Sequence, residues 1–495
     1  MKIGFDAELY AQKQTEKILE RIAMFDNKLY LEFGGKLFDD YHAARVLPGF
    51  DVNGKVKILL TLKDQCEIIF CISASDIEQN RIRADFGITY DQDMLRLIDH
   101  LREWGLQVTA VVITQYQGQH SADLFKNKLE GLGMRTYIHT FTKGYPTDVD
   151  TIVSDEGYGK SPYVETSRPL VIVTAPGPGS GKLATCLSQL YHEYKRGVKA
   201  GYAKFETFPI WNIPLKHPVN LAYEAATADL HDINVIDHFH LEAYGVSAVN
   251  YNRDIAAFPI VKNILHKITG NGYFYNSPTD MGVNMAGYAI VDDAVCCEAA
   301  KQEVIRRYFR AKCDQRIGRG DAATTQTNHL LLKELDIWPH DRPVVTPALE
   351  KAAAANTPAM AIALPDGTIL TGKSSRLMNA PAAMLINAIK YLSGIPDDMH
   401  LISPVVLAPI LRLKGVTLGE RDAALSPEEA LIALSISAAT NPMVETALEK
   451  LPALAGCDAH STVILSETDE RLLRKLRIEV TCEAVYASSH LYQNP

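Results

Sequence analysis

A glycine-rich stretch that ends at a lysine is the strongest sign of chemistry in this sequence. Residues 168–195 read RPLVIVTAPGPGSGKLATCLSQLYHEYK. The short apolar run at 170–173 is typical of a buried strand, and the apolar residues after Lys182 follow helical spacing. Glycines let backbone amides approach phosphate oxygens, while a helix start and a lysine add positive charge. We therefore predict a phosphate-binding loop for a nucleotide or another phosphorylated metabolite, formed by Gly177, Gly179, Ser180, Gly181, Lys182 and Thr185.

This loop departs at two positions from the common pattern G-x-x-x-x-G-K-[ST]. Pro176 stands where the first glycine is expected, and Leu183 stands where a hydroxyl side chain would bind magnesium. Ser180 and Thr185 are the alternative sources of that hydroxyl. Without a ligand the same stretch would be a tightly packed strand-to-helix turn, and this interpretation stays open.

A literal match to the pattern occurs at 367–374, which reads GTILTGKS. The residues at 364–367 are typical of a turn, and those at 368–370 are typical of a returning strand. We therefore predict a β-hairpin at this second position.

Two acidic residues precede the glycine loop. An apolar run at 151–154, predicted to be a strand, ends in Asp155 and Glu156. Nucleotide hydrolases use such a pair, in which the aspartate holds a metal and the glutamate orients water. We predict that Asp155, Glu156 and Lys182 are catalytic and that ATP or another nucleotide binds with Mg²⁺. A capped strand end is the alternative.

The segment from 214 to 312 is rich in polar and aromatic residues. As alternate residues of a strand or neighbours in a loop, His238 and His240 can share one metal ion with Asp237 or Glu242. A polar pocket without a metal is the alternative. Further side chains that we predict to contact an anionic substrate are Lys36, His42, Arg45, His217, Glu224, Asp280 and Asn284.

The composition is that of an ordinary globular protein of 495 residues with a formal net charge of -9. This charge argues against nucleic acid or an anionic membrane as a partner. No apolar run approaches the ~20 residues that span a bilayer, and the first residues lack the apolar centre of a signal peptide. The eight cysteines include no C-x-x-C pair, which indicates reduced thiols. We expect a cytoplasmic protein, and its apolar faces would suit a homo-oligomer.

Strand-like and helical patterns alternate from residue 56 onward. Strands are predicted at 56–62, 67–73, 107–114, 135–139, 151–154 and 170–173, and helices at 91–104, 121–132 and 183–197. This alternation predicts an α/β fold with a mostly parallel sheet, in which a Rossmann-like or P-loop-like strand–loop–helix carries the glycine loop. We predict three domains: an α/β domain at 1–213, a mainly helical domain at 214–340 and a smaller C-terminal α/β domain at 341–495.

Several long blocks are more specific than these motifs. They read LYLEFGGKLFDDYHAARVLPGF, VSDEGYGK, RPLVIVTAPGPGSGKLATCLSQLYHE, KFETFPIWNIPLKHPVNLAYEAATADL, SPTDMGVNMAGY and LSISAATNP. In these blocks the chain resembles the bacterial family UPF0371, or DUF1846, over nearly its whole length. The resemblance implies a soluble cytoplasmic α/β protein with further subdomains, and it implies no particular reaction.

The residues themselves favour an enzyme that binds a phosphorylated metabolite and transfers or hydrolyses a phosphoryl group. Two alternatives stay open. One is a metal-dependent hydrolase or lyase that acts on an anionic metabolite, and the other is a metabolite-binding protein without catalytic activity.

Overall fold

The computed structural model describes residues 2–83, 87–270 and 275–488. The chain forms two compact units. The first contains residues 2–224 and 232–300, and the second contains residues 225–231 and 301 onward. The division into three domains stays a prediction.

The strands within the described residues are numbered in chain order. They are β1 (Leu29–Phe33), β2 (Cys66–Ser73), β3 (Ile82–Arg83), β4 (Ile88–Thr89), β5 (Val108–Tyr116), β6 (Arg135–Thr140), β7 (Leu170–Thr174), β8 (Gly201–Phe205), β9 (Asn234–Ile236), β10 (Val249–Tyr251), β11 (Gly282–Val283), β12 (Ala359–Ala363), β13 (Ile369–Lys373), β14 (Asp458–Ser461) and β15 (Glu479–Cys482).

The α-helices are numbered in the same way. They are α1 (Ala7–Ala23), α2 (Tyr41–Val46), α3 (Gly54–Thr61), α4 (Ala74–Glu78), α5 (Tyr90–Glu103), α6 (His120–Gly131), α7 (Val149–Ile152), α8 (Lys182–Lys195), α9 (Pro218–Ala226), α10 (His238–Tyr244), α11 (Asn252–Thr269), α12 (Pro278–Met281), α13 (Asp293–Arg316), α14 (Ala322–Glu334), α15 (Val345–Ala355), α16 (Ala380–Leu392), α17 (Pro404–Arg412), α18 (Pro427–Ala438), α19 (Pro442–Leu448) and α20 (Glu467–Lys475). None of the helices in the described part of the chain has the length and apolar character needed to cross a membrane.

A parallel sheet forms the centre of the first unit. In the described residues it has seven strands in the order β11-β8-β1-β7-β2-β5-β6, and every neighbouring pair is parallel. Its central strands are apolar and fully buried, as in the run from Leu170 to Val173. Strands that bury both faces need such continuous apolar sequence.

The order of these strands creates a crevice between β7 and β2. The chain leaves β2 toward β5 on one side, whereas it leaves β7 toward β8 on the other side. Neighbouring strands whose connections diverge in this way open a crevice at the carboxyl ends of the strands, where α/β proteins bind ligands. The segment that follows β7 is the predicted glycine loop.

The second unit contains a smaller, mixed sheet in the order β13-β12-β14-β15. β12 and β13 form an antiparallel hairpin, and β14 and β15 are parallel. Helices α16 and α18 contribute Met384, Leu385 and Leu434 to its buried core. Helix α18 begins with a capping box between Ser426 and Glu429, which pairs the amides at its first turn.

The predicted fold class is confirmed by this α/β architecture with its parallel sheet and its separate C-terminal sheet. The hairpin at the literal phosphate-loop match is also confirmed, because Ile369 and Leu370 pair with β12. Two predicted strands are wrong. Residues 56–62 lie mainly in helix α3, and 151–154 overlap the short helix α7, which Asp148 caps by accepting the amide of Thr151 at 3.0 Å.

Candidate functional site

The glycine loop joins β7 to α8 at the crevice of the sheet. Two of its residues have positive φ angles, 72° for Gly179 and 79° for Gly181. A side chain at Gly177 would meet the ring of Tyr90, with its Cβ 2.3 Å from Cε2 of that ring. Glycine is therefore required here both for backbone conformation and for space.

Neighbouring strands hold two carbonyl groups of this loop. Thr114, in β5, donates its hydroxyl to the carbonyl oxygen of Ser180 at 2.7 Å. Gln115 donates its amide to the carbonyl oxygen of Gly179 at 3.1 Å, and its own oxygen accepts the hydroxyl of Ser73 at 3.2 Å. Residues at the ends of β2 and β5 thus fix the orientation of the loop.

The amides of the loop have no acceptor in the part of the chain that the structure describes. Within the described residues, no oxygen accepts a hydrogen bond from the backbone N–H of Gly177, Gly179, Ser180, Gly181 or Lys182. Some of these are the orphan donors of a helix start, where the helix dipole also favours negative charge. Gly179 is exposed, so a ligand can reach this end of the loop from solvent.

Two side chains add to this set of donors. Ser180 is only 2% exposed, yet its buried hydroxyl has no hydrogen-bond partner in the described structure. Buried hydroxyls are normally paired, so an unpaired one at this position suggests a ligand as its partner. Lys182 is half-buried, and its ammonium makes no ion pair with any described residue. The loop therefore presents amides, a hydroxyl and a cation, and these are groups that bind phosphate.

Thr185 lies beneath the loop and is fully buried. Its hydroxyl donates to the carbonyl oxygen of Gly181 at 3.0 Å and accepts the thiol of Cys71 at 3.4 Å. Burial raises the pKa of that thiol to about 12, against the opposing effects of Thr185 and Lys182. Thr185 thus supports the loop from below. Since Leu183 occupies the usual hydroxyl position, the residues do not fit the magnesium site of a standard phosphate loop.

Asp155 and Glu156 lie near the other end of α8. Asp155 accepts the hydroxyl of Tyr191 at 2.8 Å and pairs with Lys195, and these contacts lower its pKa. Lys195 is thirteen residues beyond Lys182, or about 20 Å along the helix axis. The structure therefore does not bring this acidic pair to the glycine loop, because the predicted strand that would have carried it there is helix α7.

A second charged group, which sequence reasoning missed, lies at the carboxyl edge of the same sheet. In the parallel register Glu32 of β1 is the partner of Lys204 of β8. Lys204 Nζ lies 2.7 Å from Glu206 Oε1 and also pairs with Asp254, at the start of α11. Glu32 accepts the hydroxyl of Tyr202 at 2.8 Å. The ammonium group of Lys204 thus pairs with two carboxylates and is attracted electrostatically by a third, that of Glu32.

Burial and neighbouring charges shift the pKa values of Glu206 and Lys204. The side chain of Glu206 is 4% exposed, and its Oε1 has no partner in hydrogen-bond geometry within the described residues. Burial, with the nearby carboxylates of Asp254 and Glu32, raises the pKa of Glu206 to about 7 against the opposing effect of Lys204. Burial acts to lower the pKa of Lys204, but the three carboxylates outweigh it and hold that pKa well above its usual value. Glu206 therefore has the titration range of a general acid or base.

Comparison with known proteins places the chain in a family. A model described as "Domain of unknown function DUF1846, N-terminal" matches residues 3–336, and its C-terminal counterpart matches residues 340–492. The chain belongs to the DUF1846 family. It is 59% identical, over 502 aligned positions that cover both chains completely, to the UPF0371 protein of Clostridium botulinum strain Alaska E43. The UPF0371 protein of strain Langeland gives the same identity and coverage. The predicted resemblance is confirmed, and these descriptions name neither a ligand nor a reaction.

The predicted metal quartet of this DUF1846 chain lies around α10 and is not assembled. His238 and His240 are two residues apart in a helix, a spacing that points side chains to different sides. Asp237 caps the helix through the amide of His240 at 3.0 Å, and its other oxygen accepts the hydroxyl of Thr279 at 2.6 Å. Glu242 is exposed. The expectation of a strand or loop here is wrong, and with it the geometry that would join the two imidazoles.

The predicted substrate residues occupy several separate elements. Lys36 follows β1, His42 and Arg45 lie in α2, His217 precedes α9, Glu224 lies in α9, Asp280 lies in α12 and Asn284 follows β11.

His42 packs against the rings of Phe208 and Tyr223, at centroid distances of 5.4 and 5.7 Å. Glu224 accepts the amide of Asn234 at 3.1 Å, and Asp280 accepts the hydroxyl of Tyr244 at 2.8 Å. Asn284 donates to the carbonyl of Pro209 at 2.8 Å. These contacts tie His42, Glu224, Asp280 and Asn284 into the fold, and none of them is made to the glycine loop.

His217, Asp293 and Cys297 place three potential metal ligands within 4.8 Å of one another. His217 Nε2 lies 2.9 Å from Asp293 Oδ1 and 3.5 Å from Cys297 Sγ. Nδ1 of the same ring accepts the amide of Val219 at 3.2 Å. In the neutral ring the proton then resides on Nε2, which leaves no lone pair facing the other two groups. This arrangement favours a hydrogen-bonded cluster over a metal site.

Proposed function

We propose that this protein is an enzyme that binds a phosphorylated small metabolite through the glycine loop. The supporting observation is the set of unpaired donors: the amides between Gly177 and Lys182, together with the buried hydroxyl of Ser180. Amides at a helix start bind phosphate through hydrogen bonds and the helix dipole. Lys182 supplies a full positive charge, which amides alone cannot provide.

The proposed chemistry is general acid–base catalysis at Glu206. This carboxyl lies just beyond β8, and β8 is separated from β7 by β1 alone. Two strand spacings place the backbones of these strands about 10 Å apart. A metabolite held by its phosphate in the loop would extend toward Glu206. The carboxyl of Glu206 would exchange a proton with the end of the metabolite that is distant from the phosphate. Lys204 would keep the Glu206 carboxyl in position.

Phosphoryl transfer or hydrolysis is the second candidate, and the proximity of Lys182 to the loop amides favours it. In that reaction an attacking oxygen forms a bond to phosphorus while the bond to the leaving oxygen breaks. The amides and Lys182 would neutralise charge on the phosphoryl oxygens. A nucleotide is the natural substrate class for this candidate.

A thermal-shift screen of phosphorylated metabolites, with and without magnesium, tests binding. A ligand that binds the folded state raises its melting temperature by mass action. In the Lys182→Ala variant we expect affinity for a hit to fall about tenfold or more, because one charge-assisted contact is lost. Lys195→Ala is the matched control, since it removes the same charge from the other end of the same helix.

Equal affinity in the two variants would contradict the proposed phosphate site. For any metabolite that binds, analysis of the products then distinguishes acid–base catalysis from phosphoryl transfer or hydrolysis. Acid–base chemistry leaves the phosphate on the product, whereas transfer or hydrolysis removes it. Loss of turnover in Glu206→Gln with unchanged binding would support the first candidate.

A further inference from the structure

An open surface cavity of about 520 Å³ lies in the second unit, between α13 and α14. Its polar lining residues include Tyr308, Lys312, Gln315, Arg316, Gln326 and His329. The volume falls in the range of about 300–1,000 Å³ that is typical of small-molecule sites. Neither the proposed phosphate loop nor the acid–base group uses any of these residues.

Two basic side chains line this cavity, although the chain as a whole has a net charge of -9. Lys312 and Arg316 are four residues apart in α13, so both side chains lie on one face of the helix. No carboxylate appears among the described residues that line the cavity, although Glu483, next to the lining residue Ala484, is attracted by Lys312, which helps to lower the pKa of Glu483. Lys312 Nζ lies over the ring of Tyr308 at 5.4 Å, and the guanidinium of Arg316 lies over the ring of Tyr486 at 5.4 Å. Aromatic rings therefore hold both cations, and neither forms an ion pair with a described residue.

Several contacts fix the walls of the cavity. The hydroxyl of Tyr486 donates to the carbonyl oxygen of Arg316 at 3.2 Å, and the hydroxyl of Thr325 donates to that of Ala311 at 3.2 Å. The second contact links α14 to α13. The ring of His329 lies 5.8 Å from that of Tyr308, on the same side of the cavity. These contacts orient the half-buried Lys312 and the exposed Arg316 before any ligand binds, which reduces the entropic cost of binding.

We propose that this cavity binds a small molecule that carries a phosphate or carboxylate group. The planar guanidinium of Arg316 suits two oxygens of such a group at once, and the ammonium of Lys312 acts as a point charge beside it. The amides of Gln315 and Gln326 supply further hydrogen bonds. This site is independent of the glycine loop, so either one can bind its ligand without the other.

Calorimetric titration of the full chain with pyrophosphate and with citrate tests this proposal. All titrations use the Lys182→Ala variant as the parent protein, because this substitution weakens binding at the glycine loop. We expect saturable binding of at least one probe, and the tighter probe identifies the group as phosphate or carboxylate. Adding Lys312→Ala and Arg316→Ala should weaken that binding about a hundredfold, because two charge-assisted contacts are lost.

The control adds Lys333→Ala and Lys351→Ala, which remove the same charge from exposed positions of the same unit. It should bind like the parent. Arg316→Lys keeps the charge but loses the planar fork, and we expect an intermediate loss of about tenfold. Circular dichroism confirms that each variant is folded. Equal affinity in the cavity and control variants, or no saturable binding of either probe to the parent, would overturn the proposal.

Discussion

The buried hydroxyl of Ser180 offers a test that separates a binding role from a structural one. Ser180 is 2% exposed, and its Oγ has no partner in the described structure. A buried polar group without a hydrogen bond costs about 1–3 kcal/mol. Ser180→Ala removes that group with little change of volume, so we expect the free energy of unfolding to rise by about 1 kcal/mol.

Ligand binding should respond in the opposite direction. If Oγ donates to a phosphate oxygen, Ser180→Ala removes a hydrogen bond to a charged group, which is worth about 1.5–3 kcal/mol. The affinity for a phosphorylated ligand should then fall about tenfold or more. A substitution that stabilises the protein and weakens binding is the signature of a polar group kept for a ligand.

Ser188→Ala is the matched control for this experiment. Ser188 lies in α8 and is 1% exposed, but its hydroxyl donates to the carbonyl oxygen of Tyr158 at 3.3 Å. Its loss should lower the free energy of unfolding by about 1 kcal/mol and leave binding unchanged. Urea denaturation in phosphate-free buffer measures the stability of both variants, and calorimetry measures affinity. The reasoning is refuted if Ser180→Ala destabilises the chain as Ser188→Ala does, or if it leaves affinity unchanged.

Three further predictions follow from the same geometry. Glu206 has a pKa of about 7 in the folded state against 4.5 for an ordinary glutamate, so the folded state binds more protons between these values. The free energy of unfolding of the wild-type chain should therefore fall as pH rises from about 4.5 to about 7, relative to Glu206→Gln, and denaturation at pH 5 and pH 8 measures this difference. Gly177→Ala should destabilise the protein by about 1–3 kcal/mol in urea denaturation, because the new Cβ overlaps the ring of Tyr90. Asp155→Asn should leave phosphate affinity within about twofold in calorimetry, because this carboxylate contacts the far end of α8, well beyond the range of salt-screened attraction.

The sequence was sufficient for the fold class because the apolar runs of β2, β5 and β7 are rich in β-branched residues, which favour strands. The strand predictions at 56–62 and 151–154 are wrong because a short apolar run fits a buried helix as well as a buried strand. The residues of α3 include the buried Val56, Ile58 and Leu59, and a buried helical turn has the same continuous apolar sequence as a buried strand. For α7, Asp148 is a residue type that caps helices and so favours a helix start, whereas the apolar residues that follow it favour a strand.

Strands β1 and β8 were missed for a reason that bears on function. Each carries a charged residue near its carboxyl end, Glu32 in one and Lys204 in the other, and such residues are unusual in a buried strand. Each has a polar partner: Lys204 pairs with Glu206 and Asp254, and Glu32 accepts the hydroxyl of Tyr202. The two residues are also register partners. That pairing links positions more than 170 residues apart, so local pattern could not reveal it. The glycine loop, in contrast, lies within one continuous stretch and was predicted from local sequence.

The distance between the glycine loop and Glu206 bears on which chemistry the first unit can support. A phosphoryl group bound by the loop amides would lie within reach of Lys182, and its transfer would need an acid, a base or a metal ligand at the same place. Of the acidic pair predicted for that role, Asp155 pairs with Lys195 and Glu156 with Lys143 instead. Leu183 replaces the hydroxyl that would hold magnesium. Glu206, whose pKa suits proton transfer, lies beyond β8, about 10 Å to the side. A phosphate that serves as an anchor, with proton transfer at the far end of the same molecule, accounts for both groups at their observed positions.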